Sequence, residues 1–262
     1  MNQENSIGPA KIPFTTFLLK ILAGTGGGVV GTLVLVLIFL LANSVLTPLS
    51  GNFATGDYIS PIFIFLLMIM VFLSSTVGNM LSVFLLALTE PEKYKRKATA
   101  VTQVFIVSLV IFLVMVPVYF LTTSIDVSVT AYAVALHIII SAQVSAIILE
   151  IISNYKHALV GVYGVTFSIL VAAGLLFGIA GLTDYSAAIL LFIALPVVWG
   201  SIAFTQSVVT MIYGWFARVY DKDFLASETF YGKDYGKELE TPQQKSENKA
   251  KDEKGADFLR NN

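Results

Sequence analysis

The sequence predicts an all-α polytopic membrane helix bundle with six transmembrane helices, both termini cytoplasmic, and a weak pattern of three helical-hairpin repeats. Three observations carry this. Of 262 residues, 56% are hydrophobic and 13% charged, about half the charged share of a soluble domain, so the composition cannot cover a water-facing surface. Six windows, 21–46, 59–88, 101–121, 129–152, 159–182 and 187–216, each supply the run of about 20 mainly apolar residues that a spanning helix needs. All sixteen Lys and Arg residues fall on one side of those windows. Lys11 and Lys20 precede the first, Lys93, Lys95, Arg96 and Lys97 separate the second from the third, Lys156 separates the fourth from the fifth, and the rest follow the sixth. The alternate loops carry only Asp57, Asp126 and Asp184. Positive charge is retained in the cytoplasm, which assigns the Asp-bearing loops to the outside of a bacterial-type plasma membrane.

Along the chain, residues 1–20 read as a cytoplasmic or interfacial lead and 21–216 as the transmembrane domain. The first window has a basic flank and the sequence Ala42-Asn43-Ser44, superficially like a secretory signal. Its apolar run far exceeds the about 7–15 residues of a signal core, so it is read as a spanning helix. Gly24, Gly28 and Gly31 share a face of it, with Gly26 and Gly27 beside them. Small residues let helix backbones approach closely where no hydrophobic effect acts between helices. The run 24–28 is not a phosphate loop, because the Lys-Ser/Thr ending is missing.

The second window aligns Ser75, Asn79 and Ser82 on one face. The longest cytoplasmic connection follows it at 89–100, and Lys93, Lys95, Arg96 and Lys97 there suit a topology signal, an anionic lipid surface or a cytoplasmic protein partner. Pro117 in the third window and Pro196 in the sixth each remove a backbone hydrogen bond, which makes them candidate hinges. The fourth window has His137, Ser141 and Ser145 on one face and Gln143, Glu150 and Asn154 on another. Glu150, the single carboxylate inside a window, is expected to reach the interface and pair with Lys156. His137, about 12 Å in from the outer end, is expected to be neutral and to donate to a carbonyl of a neighbouring helix.

In the fifth window Gly161, Gly164, Ser168 and Ala172 form one small-residue stripe, and Gly174, Gly178 and Gly181 a second. The sixth aligns Trp199, Gln206 and Tyr213. Asn79, Gln143 and Gln206 recur at nearly equal spacing in the even-numbered helices, the pattern that three successive hairpins would generate. Beyond Phe216, residues 217–237 read as an aromatic interfacial segment, with Tyr220 and Phe224 continuing a helical stripe. Residues 238–262 are polar with alternating charge signs, and disorder is expected there.

The chain has no cysteine, which removes disulfides and thiolate chemistry, and its two histidines do not form a metal cluster. No cofactor is expected, and no single-sign charge block suggests nucleic acid. Ser141 and His137 stack on one helix rather than aim at a shared substrate, so the chain reads as a non-enzyme. The leading functional reading is a transport-related membrane subunit binding or passing a small neutral or zwitterionic solute. In it Asn79, His137, Gln143, Glu150 and Gln206 supply pathway or interhelix polar groups. The alternative is a non-catalytic scaffold that anchors a cytoplasmic or membrane complex. The lipid bilayer, a cytoplasmic protein and a further copy of the chain are the candidate partners. The two readings differ in one respect: a pathway needs a wet cavity bordered by the amides, and a scaffold needs a solid core.

Overall fold

The computed structural model describes residues 14–49, 60–91, 93–125, 127–153, 158–181 and 186–219. The loop acids Asp57, Asp126 and Asp184, the pair Lys156 and His157, the segment 220–237 and the tail 238–262 lie outside the described residues. Among the described residues there are six helices: α1 (Phe14–Leu49), α2 (Pro61–Thr89), α3 (Lys97–Ile125), α4 (Val127–Ile152), α5 (Ala158–Gly181) and α6 (Ser186–Val219). Each is long and apolar enough to cross a membrane. One compact unit, Lys11–Ile212, contains α1 to α5 and most of α6, and the last residues of α6, from Tyr213, fall outside it.

Local chemistry explains several boundaries. The side chain of Ser60 accepts a hydrogen bond from the amide of Ile62 at 3.3 Å, and Pro61 occupies the first helical position of α2. There its missing N–H costs nothing and its fixed φ suits the helix. After Thr89 the chain turns back on itself, with the amides of Lys93 and Tyr94 both donating to the carbonyl of Glu90 at 3.0 and 3.1 Å. At the start of α1 the structure corrects the sequence boundary. The helix begins at Phe14, so Lys20 is part of it and is only 2% exposed. Lysine is a good helix former, and its charge sets no limit on a helix when a partner is at hand.

Burial divides the helices into two groups. In α2, α4 and α6, 50%, 56% and 56% of the apolar window is buried, against 17%, 22% and 33% in α1, α3 and α5. The even-numbered helices therefore form the centre, and the odd-numbered ones cover it. Each odd helix lies against its two even neighbours: α1 on α2 and α6, α3 on α2 and α4, α5 on α4 and α6. This cyclic order is the one three successive hairpins produce. Outward-facing residues such as Leu33, Leu40, Leu113, Val114 and Leu170 are all more than half exposed, a surface that hydrocarbon accepts and water does not.

Glycine sets the closeness of α1. A Cβ on Gly28 would come within 2.7 Å of the Leu195 carbonyl oxygen and of the Pro196 Cα, and one on Gly31 within 2.8 Å of the Gly78 Cα. A Cβ on Gly27 would overlap Ser82. The expected glycine face is thus two faces: Gly24 and Gly28 meet α6, while Gly27 and Gly31 meet α2. The stripe of α5 also divides. Gly161 and Gly164 abut Glu150 and Gln206, whereas Gly174, Gly178 and Gly181 have no described neighbour within 4 Å of a built Cβ.

Both prolines lie within continuous helix. Pro196 leaves the carbonyl of Phe192, four residues back, without its usual amide donor. The hydroxyl of Thr32 on α1 donates to that carbonyl at 3.0 Å. Pro117 lies on the exposed face of α3.

Candidate functional site

The densest polar chemistry lies where α2 ends, α3 begins and α4 ends. Glu150 sits two residues before the end of α4 and is 0% exposed. A carboxylate so placed must be neutralised within the protein, since burying an unpaired charge is prohibitive. Lys93 meets it, Nζ lying 2.9 Å from Oε1 and 2.7 Å from Oε2. The Tyr94 phenol and the Gln206 amide both donate to Oε1 as well. The cation found beside Glu150 is thus Lys93, delivered from the loop between α2 and α3, and the carboxylate stays inside; the expected partner, Lys156, lies outside the described residues.

The turn after α2 makes this possible. By folding Lys93 and Tyr94 inward together it also lays the ammonium of Lys93 over the Tyr94 ring, 4.7 Å from the centroid, a favourable placement for a cation. Burial pushes the Tyr94 phenol well above its ordinary range, and the negative charges of Glu150 and Glu90 push in the same direction. It stays a proton donor throughout the physiological range. On α5, Gly161 gives the carboxylate its room, since a Cβ there would overlap it.

A second ion pair stands beside the first. Lys20 of α1 reaches Glu90, just past α2, at 2.8 Å. Two ammonium groups and two carboxylates thus form an electrically neutral cluster joining α1, α2, α4, α6 and the connecting loop. Lys20, Glu90 and Tyr94 were not singled out by sequence reasoning. Lys20 reads from sequence as a flanking topology charge, and Tyr94 stands among the loop bases. Only a charge count at the loop, two acids among four bases at 90–97, hinted at internal pairing.

Deeper in the bundle, Asn79 is the junction of the central helices. Its Nδ2 donates to Ser141 Oγ of α4 at 2.7 Å, and its Oδ1 accepts from the Trp199 indole of α6 at 2.9 Å. Asn79, Ser141 and Trp199 are all fully buried. Gln143 donates to Ser168 of α5 at 2.6 Å. Its Oε1 has no hydrogen-bond partner among the described residues. His137 lies 3.2 Å, through Nδ1, from the Tyr119 hydroxyl of α3, so its partner is a phenol where a carbonyl was expected. Its Nε2 has none among the described residues. As the helical spacing implied, His137 and Glu150 belong to separate networks.

The five polar residues singled out from sequence thus fall at four places, with only Glu150 and Gln206 in direct contact. Among the loop bases, Lys93 turns inward, Lys95 and Arg96 are exposed and Lys97 is half-buried. A groove of about 450 Å³ opens between α1, α5 and α6, lined by Thr25, Val171, Leu175, Pro196, Val197, Gly200, Ser201 and Phe204. None of the three amides borders it. No family model, curated protein or solved structure matches the chain.

Proposed function

We propose that this multi-pass membrane protein is a non-catalytic scaffold, a tightly joined bundle that holds an assembly in the membrane. One observation carries the reading: the side chain of Asn79 is held on both sides, by Ser141 of α4 and Trp199 of α6. An amide lining a solute pathway keeps hydrogen-bonding capacity free for its solute, and this one spends it on neighbouring helices. Gln206 supports the same view, donating to Glu150 across a helix interface, while Gln143 donates to Ser168 and keeps its Oε1 without a partner among the described residues. The polar segment 238–262 supplies the contacts to a cytoplasmic partner.

The test uses the absence of native cysteine. In Gln143→Cys, a membrane-impermeant thiol reagent is expected to leave the protein unlabelled in intact membranes and to label it after denaturation. Labelling from the aqueous phase in the folded protein would overturn the scaffold in favour of a water-accessible pathway.

A further inference from the structure

We propose that Lys95, Arg96 and Lys97 form a binding site for anionic phospholipid headgroups in the adjoining leaflet. The site does not depend on the scaffold reading, because it rests on charge and position alone.

The bases Lys20, Lys93, Lys95, Arg96 and Lys97 divide sharply. Lys20 and Lys93 are consumed by Glu90 and Glu150. Lys95, Arg96 and Lys97 have no acidic partner among the described residues. Over residues 90–97 the sequence holds four bases and two acids, an excess of two positive charges. The turn closed on the Glu90 carbonyl and the capture of Lys93 and Tyr94 by Glu150 fix the loop. The outward residues that follow are thereby held in place.

Depth selects the ligand. The apolar window of α2 ends at Thr89 and that of α3 starts at Lys97, so the three bases stand at the hydrocarbon boundary, level with the headgroups. Below them, Leu88 and Phe84 on α2 and Phe105 and Leu109 on α3 are exposed, offering apolar surface to an acyl chain. A phosphodiester carrying two such chains satisfies both halves of this surface, and a free phosphate satisfies one. Attraction of a basic residue to an anionic surface corresponds to about a fivefold preference per charge.

The experiment follows the thermal unfolding midpoint of the full-length protein in neutral detergent. Phosphatidylglycerol or phosphatidylcholine with the same acyl chains is titrated in, and inorganic phosphate serves as a third arm. Phosphatidylglycerol is expected to raise the midpoint at a concentration roughly tenfold or more below that needed for phosphatidylcholine. The variant K95Q/R96Q/K97Q is expected to narrow the difference to about twofold. The charge-preserving K95R/R96K/K97R is expected to keep it. Equal response of the wild-type protein to both lipids would overturn the site, independently of whether any variant folds. So would an undiminished preference in the glutamine variant, or a saturable shift reproduced by inorganic phosphate.

Discussion

At Glu150 the energetics turn on what is left behind when one group is removed. An ion pair buried this deeply adds little net stability over a well-packed apolar pair, yet breaking it by deleting one partner costs about 3–5 kcal/mol. Glu150→Gln keeps the shape and removes the charge, leaving Lys93 and its ring contact without a counterion. Destabilisation of about 3 kcal/mol is expected, with most of it recovered in E150Q/K93M. A double-mutant cycle on thermal or denaturant unfolding in detergent measures that coupling. Tyr94→Phe deletes one donor to the same carboxylate and should cost about 1.5–3 kcal/mol. At Asn79, replacement by Leu strands both the Trp199 indole and the Ser141 hydroxyl, with an expected loss of about 1–3 kcal/mol. A blue shift of Trp199 emission, read in a Trp215→Phe background, reports the indole that has lost its acceptor. Unchanged stability in this variant would show that the interhelix bonds carry no weight.

Among the elements, α1 is the one whose placement depends most on missing side chains. It lies between α2 and α6 because Gly24, Gly27, Gly28 and Gly31 let three backbones approach, and serine hydroxyls complete the contact. Ser74 donates to the Gly31 carbonyl at 2.8 Å and Ser82 to that of Gly24 at 3.1 Å. Gly28→Ala is therefore expected to push α1 off the Pro196 region and lower the unfolding midpoint. Gly26→Ala, at a position with no described neighbour, is expected to be neutral or slightly stabilising, since alanine is the better helix former. Comparing the two midpoints separates helix propensity from contact. Thr32→Val removes the hydroxyl that serves the carbonyl freed by Pro196, with an expected loss of about 0.6–1.7 kcal/mol, the range for interhelix hydrogen bonds in membranes. Pro196 thus gains a structural partner that a proline read as a hinge in isolation does not reveal.

For the whole molecule, the arrangement of three inner and three outer helices follows from where polarity was placed. The buried amides Asn79, Gln143 and Gln206, with Trp199 and Glu150, all occur on even-numbered helices, which cannot offer those faces to lipid, so the odd helices cover the seams. An even number of spans puts both ends of the bundle on one side of the membrane, and the one-sided bases predict that this side is cytoplasmic. Epitope tags at the two ends are expected to be protected together in intact cells and digested together in inverted vesicles.

Much of this was legible in the sequence, and the reason is physical. Apolar run length determined six spanning helices, because backbone groups in hydrocarbon must be satisfied within a helix. Helical spacing separated His137 from Glu150, a property of a single helix, whereas the glycines it grouped on one face of α1 divide between α2 and α6. What only the tertiary structure decided was partnership. Lys93 of the loop between α2 and α3 meets Glu150, Lys20 turns inward to Glu90, Thr32 finds the carbonyl behind Pro196, and Asn79 joins α4 to α6. Each pairing links residues far apart in sequence, and a hydrogen bond or ion pair depends on distance and angle between helices that no periodicity along one of them encodes.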